Sequence, residues 1–421
     1  MIDWNMKKGF TNEEAIIEAN RCLSCKNPLC EKGCPTNMRI RDFIKEIKNN
    51  NLEQAYDIIN ECSSLPYICS IVCPHENQCV GHCVLGFKQK PINCGALERY
   101  VVESMNKPLI KVNSCHKKVA IIGSGPAGIS CAKELAKNGC SVDIFEATSI
   151  FGGVLATGIP NYRLDKTRVE RIKNELIELG VNIYYNRFFK ESEIIKLKAS
   201  YDAIFVAVGL PSVKRLGIKN EDFKGVYDAL KYLEAVNLYT KYQIGQMPNL
   251  TGHTVVLGAG NVAMDAARCA VRNGSKVTIV YRRSRLEAPA TKYEIACAEA
   301  EGVELKFLNN PVEVIGQDKV EGIKVEIMTL GEPDASGRRR PVGTNTYEEI
   351  KCDNVISAIG QNPNDIYDAK EFKTDYLYLV CDDFKTNIDG IYAGGDIVLG
   401  AKTVVLAMDS GRKVAKMILE K

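Results

Sequence analysis

A glycine-rich turn between two short apolar runs constrains the fold of this chain more than any other feature. We predict a buried strand over residues 119–122, a helix over residues 129–138 and a second strand at Ser141–Phe145. The G-x-G-x-x-G spacing inside such a unit is typical of a dinucleotide site. The first glycine permits the tight turn, the second lets a pyrophosphate approach the backbone, and the third lets the helix pack on the strand. The residues predicted to contact this dinucleotide are Gly123, Gly125, Pro126, Ala127, Gly128 and, at the ribose, Glu146.

A second unit of the same kind occupies residues 254–284, with Gly258-x-Gly260-x-x-Ala263 at its turn and a strand predicted over residues 277–281. Where an NAD site would carry an acid after this strand, the chain carries two arginines. Guanidinium groups suit a 2′-phosphate, whereas a bare ribose diol favours a carboxylate. The sequence therefore predicts NADP(H) here, with a basic surface turn as the alternative. The predicted contacts are Gly258, Gly260, Asn261, Val262, Arg282 and Arg283.

Ten of the 17 cysteines lie before residue 95, and eight of them form two arrays with short spacings. The first is Cys22-x2-Cys25-x4-Cys30-x3-Cys34-Pro, and the second is Cys69-x3-Cys73-Pro-x4-Cys79-x3-Cys83. Thiolates two to four residues apart can fold around one iron–sulfur cluster, and a cysteine before proline can serve the other cluster of a pair. We therefore predict two [4Fe–4S] clusters.

Structural zinc and disulfides are the competing interpretations of the arrays. Zinc sites usually carry two C-x2-C pairs or a Cys/His pair, and neither pattern is present. His75 and His82 lie nearby, but not at zinc-finger spacing, and we expect both at the surface. Disulfides suit small secreted chains rather than a long cytosolic one.

The two arrays and the stretch PINCGALERY resemble the N-terminus of the small subunit of NADPH-dependent glutamate synthase. Dihydropyrimidine dehydrogenase and the NADH-dependent ferredoxin:NADP oxidoreductase share this module. The resemblance covers nearly the whole chain. It implies Cys22, Cys25, Cys30 and Cys83 as ligands of one cluster, and Cys34, Cys73, Cys79 and Glu98 as ligands of the other. It leaves Cys69 as a spectator, and Cys94 is the rival of Glu98 for the fourth position.

The same resemblance assigns the first dinucleotide as FAD and supplies its more distant contacts. The segment GIPNYRL, residues 158–164, would lie along the flavin, and the stretch GIYAGGDIVLGAKTVVLAM would close the site. AIGQNPN, residues 358–364, resembles the strand end that returns the chain to the flavin domain. The run at residues 330–343, LGEPDASGRRRPVG, matches an outer loop that we expect to be solvated. The additional cofactor contacts implied are Gly153, Arg163, Gly360, Gly395, Asp396, Thr403, Val404 and Val405.

The expected fold class is α/β, with an α-helical iron–sulfur domain before two Rossmann-like domains, the second inserted in the first. We expect the helical domain over residues 1–115, the FAD domain over residues 116–212 and 353–421, and the NADP domain over residues 213–352. Net charge is +3, so no nucleic acid or anionic membrane surface is expected as a partner. No apolar run reaches the length of a membrane span, and no apolar signal core opens the chain, so we expect a cytoplasmic protein.

The function implied is electron input. Hydride from NADPH would pass to FAD and then as single electrons through the clusters to a partner, either a larger catalytic subunit of the glutamate synthase type or ferredoxin. No catalytic side chain is predicted, because positioning carries the hydride step. The alternatives are the corresponding subunit of a dihydropyrimidine dehydrogenase or a ferredoxin:NADP oxidoreductase, and a non-catalytic relay or assembly subunit.

Overall fold

The computed structural model describes residues 9–105, 107 and 115–421 of the chain. A helical region comes first, and its opening helix begins with a capping box. The Thr11 side chain accepts from the backbone N–H of Glu14, whose carboxylate accepts from the backbone N–H of Thr11. The helices are α1 (Asn12–Asn20), α2 (Leu29–Lys32), α3 (Ile40–Lys48), α4 (Leu52–Cys62), α5 (Pro66–Val72) and α6 (Cys94–Ser104).

The first nucleotide-binding unit contains a five-stranded parallel sheet. Its strands, in spatial order, are β17 (Ile391–Ala393), β4 (Ala203–Val206), β1 (Lys118–Ile122), β2 (Ser141–Phe145) and β3 (Asn182–Tyr184). The inner strands β1, β2 and β4 are each buried over four residues, as strands of a parallel sheet covered on both faces are. The helices are α7 (Pro126–Lys137), α8 (Val154–Thr157), α9 (Lys166–Glu178), α10 (Glu191–Lys196), α14 (Asp396–Leu399) and α15 (Val404–Glu420).

The second unit repeats this architecture and adds an antiparallel extension. Its parallel sheet runs β6 (Val226–Asp228), β13 (Asn354–Ser357), β7 (His253–Leu257), β8 (Lys276–Tyr281) and β9 (Glu304–Phe307). Its helices are α11 (Ala229–Asn237), α12 (Asn261–Arg272) and α13 (Lys292–Ala300). The antiparallel strands are β10 (Asn309–Ile315), β11 (Gly322–Pro333) and β12 (Arg339–Lys351).

The chain passes between the units twice, and the two connecting segments pair as antiparallel strands. Strand β5 (Ser212–Val213) leaves the first unit and pairs with β14 (Gln361–Asn362), which returns to it. Since β13 pairs with β6 and β7, the chain is still in the second sheet at Ser357, later than the predicted return at residue 353. The last ribbon is β15 (Thr374–Asp375) with β16 (Tyr378–Leu379).

The segment at residues 330–343 is solvent-exposed, as expected, but it is not a simple loop. It forms the distal part of the β11–β12 hairpin, where Leu330 pairs with Pro341 and Pro333 with Arg339. Among the residues that the structure describes, no helix is long and apolar enough to cross a membrane.

Candidate functional site

The first glycine turn has the geometry that a dinucleotide requires. Gly123 has φ +105°, and a Cβ there would lie 2.5 Å from the carbonyl oxygen of Ala207. A Cβ on Gly128 would lie 2.0 Å from the carbonyl oxygen of Gly123, so helix α7 packs against the turn only because this residue is glycine. A Cβ on Gly125 would meet nothing within 4 Å. Open space therefore faces the backbone at the position where the pyrophosphate is expected.

Glu146 lies at the end of β2 beside this turn. Its carboxylate accepts hydrogen bonds from the backbone N–H and hydroxyl of Ser124, at 3.1 and 2.6 Å, and from the corresponding groups of Thr148, at 2.9 and 3.0 Å. These bonds fix the carboxylate against the loop. The ribose contact of Glu146 stays a prediction, as do the other cofactor contacts.

The remaining predicted flavin residues lie around the same turn. A Cβ on Gly153 would lie 3.0 Å from the Cα of Gly125, and a Cβ on Gly395 would lie 3.1 Å from the Cβ of Ala127. Burial raises the pKa of Asp396, the first residue of α14, to about 6. Thr403 precedes α15, which begins at Val404 and Val405, and its hydroxyl oxygen is buried without a hydrogen-bond partner. The open cradle and this unsatisfied hydroxyl fit a bound flavin dinucleotide.

Arg163 joins the two nucleotide-binding units. Its Nη1 donates to both carboxylate oxygens of Asp265 in α12, at 2.6 and 2.7 Å, and its Nη2 lies 2.9 Å from Glu294 in α13. Although burial opposes it, these two carboxylates raise the pKa of Arg163. Arg268 lies 3.1 Å from the other oxygen of Glu294. The guanidinium that we predict to contact FAD therefore also anchors the segment at residues 158–164 to the second unit.

The second glycine turn repeats the first. Gly258 has φ +124°, and a Cβ there would lie 2.5 Å from the carbonyl oxygen of Ala358. A Cβ on Gly260 would meet nothing within 4 Å, and α12 begins directly after it with Asn261 and Val262. The N–H groups of this helix face the open side of the turn, as a pyrophosphate requires. Gly360, with φ +126°, lies in the crossing beside β14.

The two arginines after β8 have different environments. Arg282 is exposed, whereas Arg283 is buried, with 6% of its surface exposed. The Nη2 of Arg283 donates to the carboxylate of Asp334 in the β11–β12 hairpin at 2.5 Å. The Nε of Arg283 is buried without a hydrogen-bond partner. One guanidinium thus faces solvent, and the other already holds an anion.

The first predicted cluster set converges on one cavity. Cys22, Cys25, Cys30 and Cys83 all line it, together with Cys94. Burial and the nearby Cys83 raise the pKa of the Cys30 thiol to about 12. Thiolates packed this closely need positive charge among them, which the irons of a cluster supply.

The second predicted set lies deeper. Burial, together with the neighbouring Cys69 and Cys79, raises the pKa of Glu98 well above its usual range. One oxygen of Glu98 is buried without a hydrogen-bond partner, which fits a carboxylate that ligates a metal. The pKa of Cys73 is raised by a hydrogen bond to Cys69, by burial, and by the charges of Cys69, Glu98 and Cys79. Burial raises the pKa of the Cys34 thiol to about 11, and the nearby Cys79 contributes to the increase.

Two cysteines outside the predicted sets are close to these ligands. Cys69, the predicted spectator, lies among Cys73, Glu98 and Met408. Cys94 hydrogen-bonds to Cys79, and the nearby Cys30 and Cys83 also raise its pKa. Cys94 therefore lies between the two sets. The choice between Glu98 and Cys94 as fourth ligand remains a prediction.

The disulfide interpretation of the arrays finds no support in this arrangement. All ten array-region cysteines carry free thiols, and the disulfide of the described chain joins Cys115 to Cys140 instead. Within residues 9–105, 107 and 115–421, no three His, Cys, Asp or Glu side chains converge on a single metal ion. His82 is exposed, as expected. The surface prediction for His75 is wrong, because His75 is only 3% exposed. Its ring packs beneath α6, so closely that a Cβ on Gly95 would lie 2.5 Å from it.

Sequence reasoning missed two buried charged residues at this site. Lys166 is fully buried and donates to the carbonyl oxygens of Leu155, at 2.8 Å, and Ile159. Burial lowers its pKa to about 7. Asp265, the partner of Arg163, is the fifth residue of α12 after the second glycine turn. An acid on the apolar face of α12 was the available sequence signal for it.

Comparisons with known proteins agree with this geometry. Residues 117–411 match the family described as pyridine nucleotide-disulphide oxidoreductase, and residues 3–109 match dihydropyrimidine dehydrogenase domain II, 4Fe-4S cluster. The glutamate synthase [NADPH] small chain of Halomonas elongata is 36% identical over 98% of this chain and 91% of its own length. The NADP(+)-dependent formate dehydrogenase subunit beta of Moorella thermoacetica is 37% identical over 92% of this chain and 59% of its own.

Among solved structures, Mycobacterium tuberculosis FprA in complex with NADPH shares the fold, with a TM-score of 0.62. It is 21% identical and covers 73% of this chain and 84% of its own. The family matches and the glutamate synthase relatives together span both nucleotide-binding units and the cysteine module. The chain therefore belongs to the pyridine nucleotide-disulphide oxidoreductase family and is of the type that carries an N-terminal 4Fe-4S domain, like the glutamate synthase small chains.

Proposed function

We propose that this chain is the NADPH-oxidising electron-input subunit of a glutamate synthase-type complex, with FAD and two [4Fe–4S] clusters. The observation that carries the proposal is the packing of the cysteine module on the first nucleotide-binding unit. Helix α5 shares one hydrophobic core with α7 and α15, the two helices that flank the predicted flavin site. Cluster ligands and flavin residues thus belong to one continuous structure.

Specific polar contacts fix this packing. The hydroxyl of Ser64 donates to Glu134 in α7 at 2.6 Å, and Arg412 in α15 donates to the carbonyl oxygen of Glu61 at 2.5 Å. The thiol of Cys69 lies 3.9 Å from the sulfur of Met408, also in α15. Cys73 of the second set belongs to the hydrophobic core of the flavin unit, whereas Cys22, Cys30 and Cys83 pack on a separate core of the helical module, which supports the second set as the one nearer the flavin.

The residues of this chain bind and orient; none is needed as an acid or base. The two glycine turns would hold the two dinucleotides, and the Arg163 contacts with Asp265 and Glu294 set the separation of the units. When bound, FAD supplies the conversion of a hydride pair into single electrons. Cys34, Cys73, Cys79 and Glu98 would hold the cluster nearer the flavin, and Cys22, Cys25, Cys30 and Cys83 the outer one.

The partner belongs to the proposal as well. The Halomonas relative is named as a small chain and the Moorella relative as a beta subunit, which supports a partner subunit for this chain. We propose a larger catalytic subunit of the glutamate synthase type, with ferredoxin or a different catalytic subunit as the alternative. We place the reaction in the cytoplasm, where thiol ligands stay reduced. Anaerobic co-purification and identification of the co-eluting chain distinguishes these partners.

Coenzyme choice tests the proposal. Changing Arg282 and Arg283 together to alanine should raise the Michaelis constant for NADPH roughly ten- to a hundred-fold, since a hydrogen bond to a charged group contributes about 1.5–3 kcal/mol. The constant for NADH should change little. Arg285→Ala is the matched control, because this exposed arginine of the same turn is held by Glu299.

The FAD content of the double variant should equal that of the unchanged protein, since the two arginines belong to the other unit. Steady-state kinetics with both coenzymes decides the matter. A preference for NADH in the unchanged protein, or an equal loss with both coenzymes, would contradict the NADPH assignment.

A further inference from the structure

The tip of the β11–β12 hairpin lies against the turn that follows β8. Two ion pairs make this contact. Asp334 lies 2.5 Å from Arg283, and Arg339 lies 2.7 Å from Glu287. The hairpin is long, and its tip would otherwise project into solvent. The fold thus brings an acidic and arginine-rich tip onto the predicted 2′-phosphate residues.

The contact leaves Arg283 incompletely satisfied. Its guanidinium is among the most buried cationic groups of the described chain, and only its Nη2 reaches Asp334. The Nε has no hydrogen-bond partner and no access to water. A buried donor without a partner is costly, so such a group in a folded protein calls for an explanation. A ligand that bonds to both nitrogens would supply one.

Asp334 resembles such a ligand only in part. One carboxylate oxygen accepts from the backbone N–H of Ser336 at 2.8 Å and from its hydroxyl at 2.5 Å, which leaves the other for Arg283. The Ser336 hydrogen bonds, with help from Arg283, lower the pKa of Asp334 to about 2. Asp334 is therefore a permanent single negative charge that binds the guanidinium at one point. A phosphate monoester carries up to two charges and three acceptor oxygens, and it binds guanidinium at two points.

We propose that Asp334 is a specificity-determining residue of the coenzyme site, whose carboxylate holds Arg283 in the free protein and is displaced by the 2′-phosphate of NADP(H). This inference rests on the proposed function, because it assigns the 2′-phosphate to Arg283. NADH has no 2′-phosphate and leaves the Arg283–Asp334 pair intact. Asp334 therefore lowers the affinity for NADP(H) alone.

The second ion pair keeps the tip in place during the exchange. Glu287 is 7% exposed and accepts from both Ser284 and Arg339, so it is fixed in the turn after β8. Arg339 opens β12 and ties the base of the tip to that turn. Release of Asp334 can thus be a local movement of the residues at 334–338, without separation of the hairpin.

Binding of adenosine 2′,5′-bisphosphate and of 5′-AMP tests the inference. The two probes differ only in the 2′-phosphate, and isothermal titration calorimetry on the full FAD-loaded chain needs no turnover. Asp334→Asn should bind the bisphosphate roughly ten-fold more tightly, the equivalent of about one charged hydrogen bond no longer competing. Its affinity for 5′-AMP should not change. Glu332→Gln is the matched control, an exposed acid two residues earlier in the same hairpin.

The outcomes separate this inference from the proposed function. If Asp334→Asn leaves bisphosphate affinity unchanged or weakens it, while the unchanged protein still prefers the bisphosphate, Asp334 is not a competitor and only this inference fails. An equal gain in Glu332→Gln would show a general charge effect and would also overturn it. Equal binding of both probes to the unchanged protein would overturn the NADP(H) assignment itself.

Discussion

Replacing Arg163 and Asp265 by alanine, singly and together, measures how strongly the two nucleotide-binding units are held to each other. The Arg163 side chain is 13% exposed and that of Asp265 7%, and two hydrogen bonds of 2.6 and 2.7 Å join them. Removing one partner of a buried, hydrogen-bonded pair costs about 3–5 kcal/mol, because the other charge is left without compensation. After Asp265→Ala, Glu294 stays within reach of Arg163, and after Arg163→Ala, Arg268 still lies near Asp265. We therefore place each single loss near the lower end, at about 3 kcal/mol.

The double variant should lose much less than the sum of the single losses. We expect a coupling free energy of about 2–3 kcal/mol, since a pair in contact is not additive. The assay is urea unfolding followed by circular dichroism on the FAD-loaded protein, with all variants compared at a common slope. The matched control is the Arg215–Asp222 pair, which has an N···O distance of 2.6 Å but side chains 69% and 79% exposed. Its coupling should stay below about 1 kcal/mol.

A coupling at Arg163–Asp265 no larger than that of the exposed control would refute this reasoning. It would mean that desolvation cancels the attraction, or that the two units do not rely on this contact in solution. Single variants as stable as the unchanged protein would lead to the same conclusion.

Three further predictions concern the helical module and the buried lysine. Cys22→Ser should remove about four irons and four acid-labile sulfides and leave the FAD, whereas Cys69→Ser should leave both clusters in place. Metal and flavin analysis of the anaerobically purified variants checks both expectations. Loss of a cluster from the Cys69 variant would show that Cys69 is a ligand. Glu98→Ala should alter the electron paramagnetic resonance (EPR) signal of one cluster, because a carboxylate is a harder ligand than a thiolate; if Cys94→Ala alters it and Glu98→Ala does not, the assignment is wrong. Burial lowers the pKa of Lys166 to about 7, so between pH 7 and its ordinary value of about 10.4 the unfolded chain binds the extra proton. Stability should therefore rise with pH there, by at most about 1.4 kcal/mol per pH unit, and Lys166→Met should flatten the rise seen in thermal unfolding; parallel curves would contradict it.

Features with a local cause could be predicted from the sequence. Both glycine turns follow from residues within a few positions of each other. The glycines can be recognised because the left-handed backbone at Gly123 and Gly258 favours glycine, and a Cβ on Gly128 would clash with the carbonyl oxygen of Gly123. Such constraints act within a single strand–helix unit.

The features that could not be predicted depend on contacts between distant parts of the chain. Arg163 meets Asp265 across 102 positions, and Arg283 meets Asp334 across 51. No periodicity reports such pairs. The exposed run at residues 330–343 has the composition of a loop, and only its pairing across the hairpin shows that it is a strand end with a defined neighbour. The sequence predicts a return to the first unit at residue 353, and only the pairing of the short strand β13 with β7 shows that this strand still belongs to the second sheet.

The central claim is that electrons from NADPH reach iron–sulfur clusters in this chain by way of FAD. The EPR spectrum of the anaerobically purified protein, recorded before and after NADPH is added with a regenerating system, tests it most directly. We predict a protein with about eight irons, in which NADPH produces the signal of at least one reduced [4Fe–4S] cluster. A protein that holds zinc instead of iron, or one whose clusters are reduced by dithionite but never by NADPH, would contradict the account.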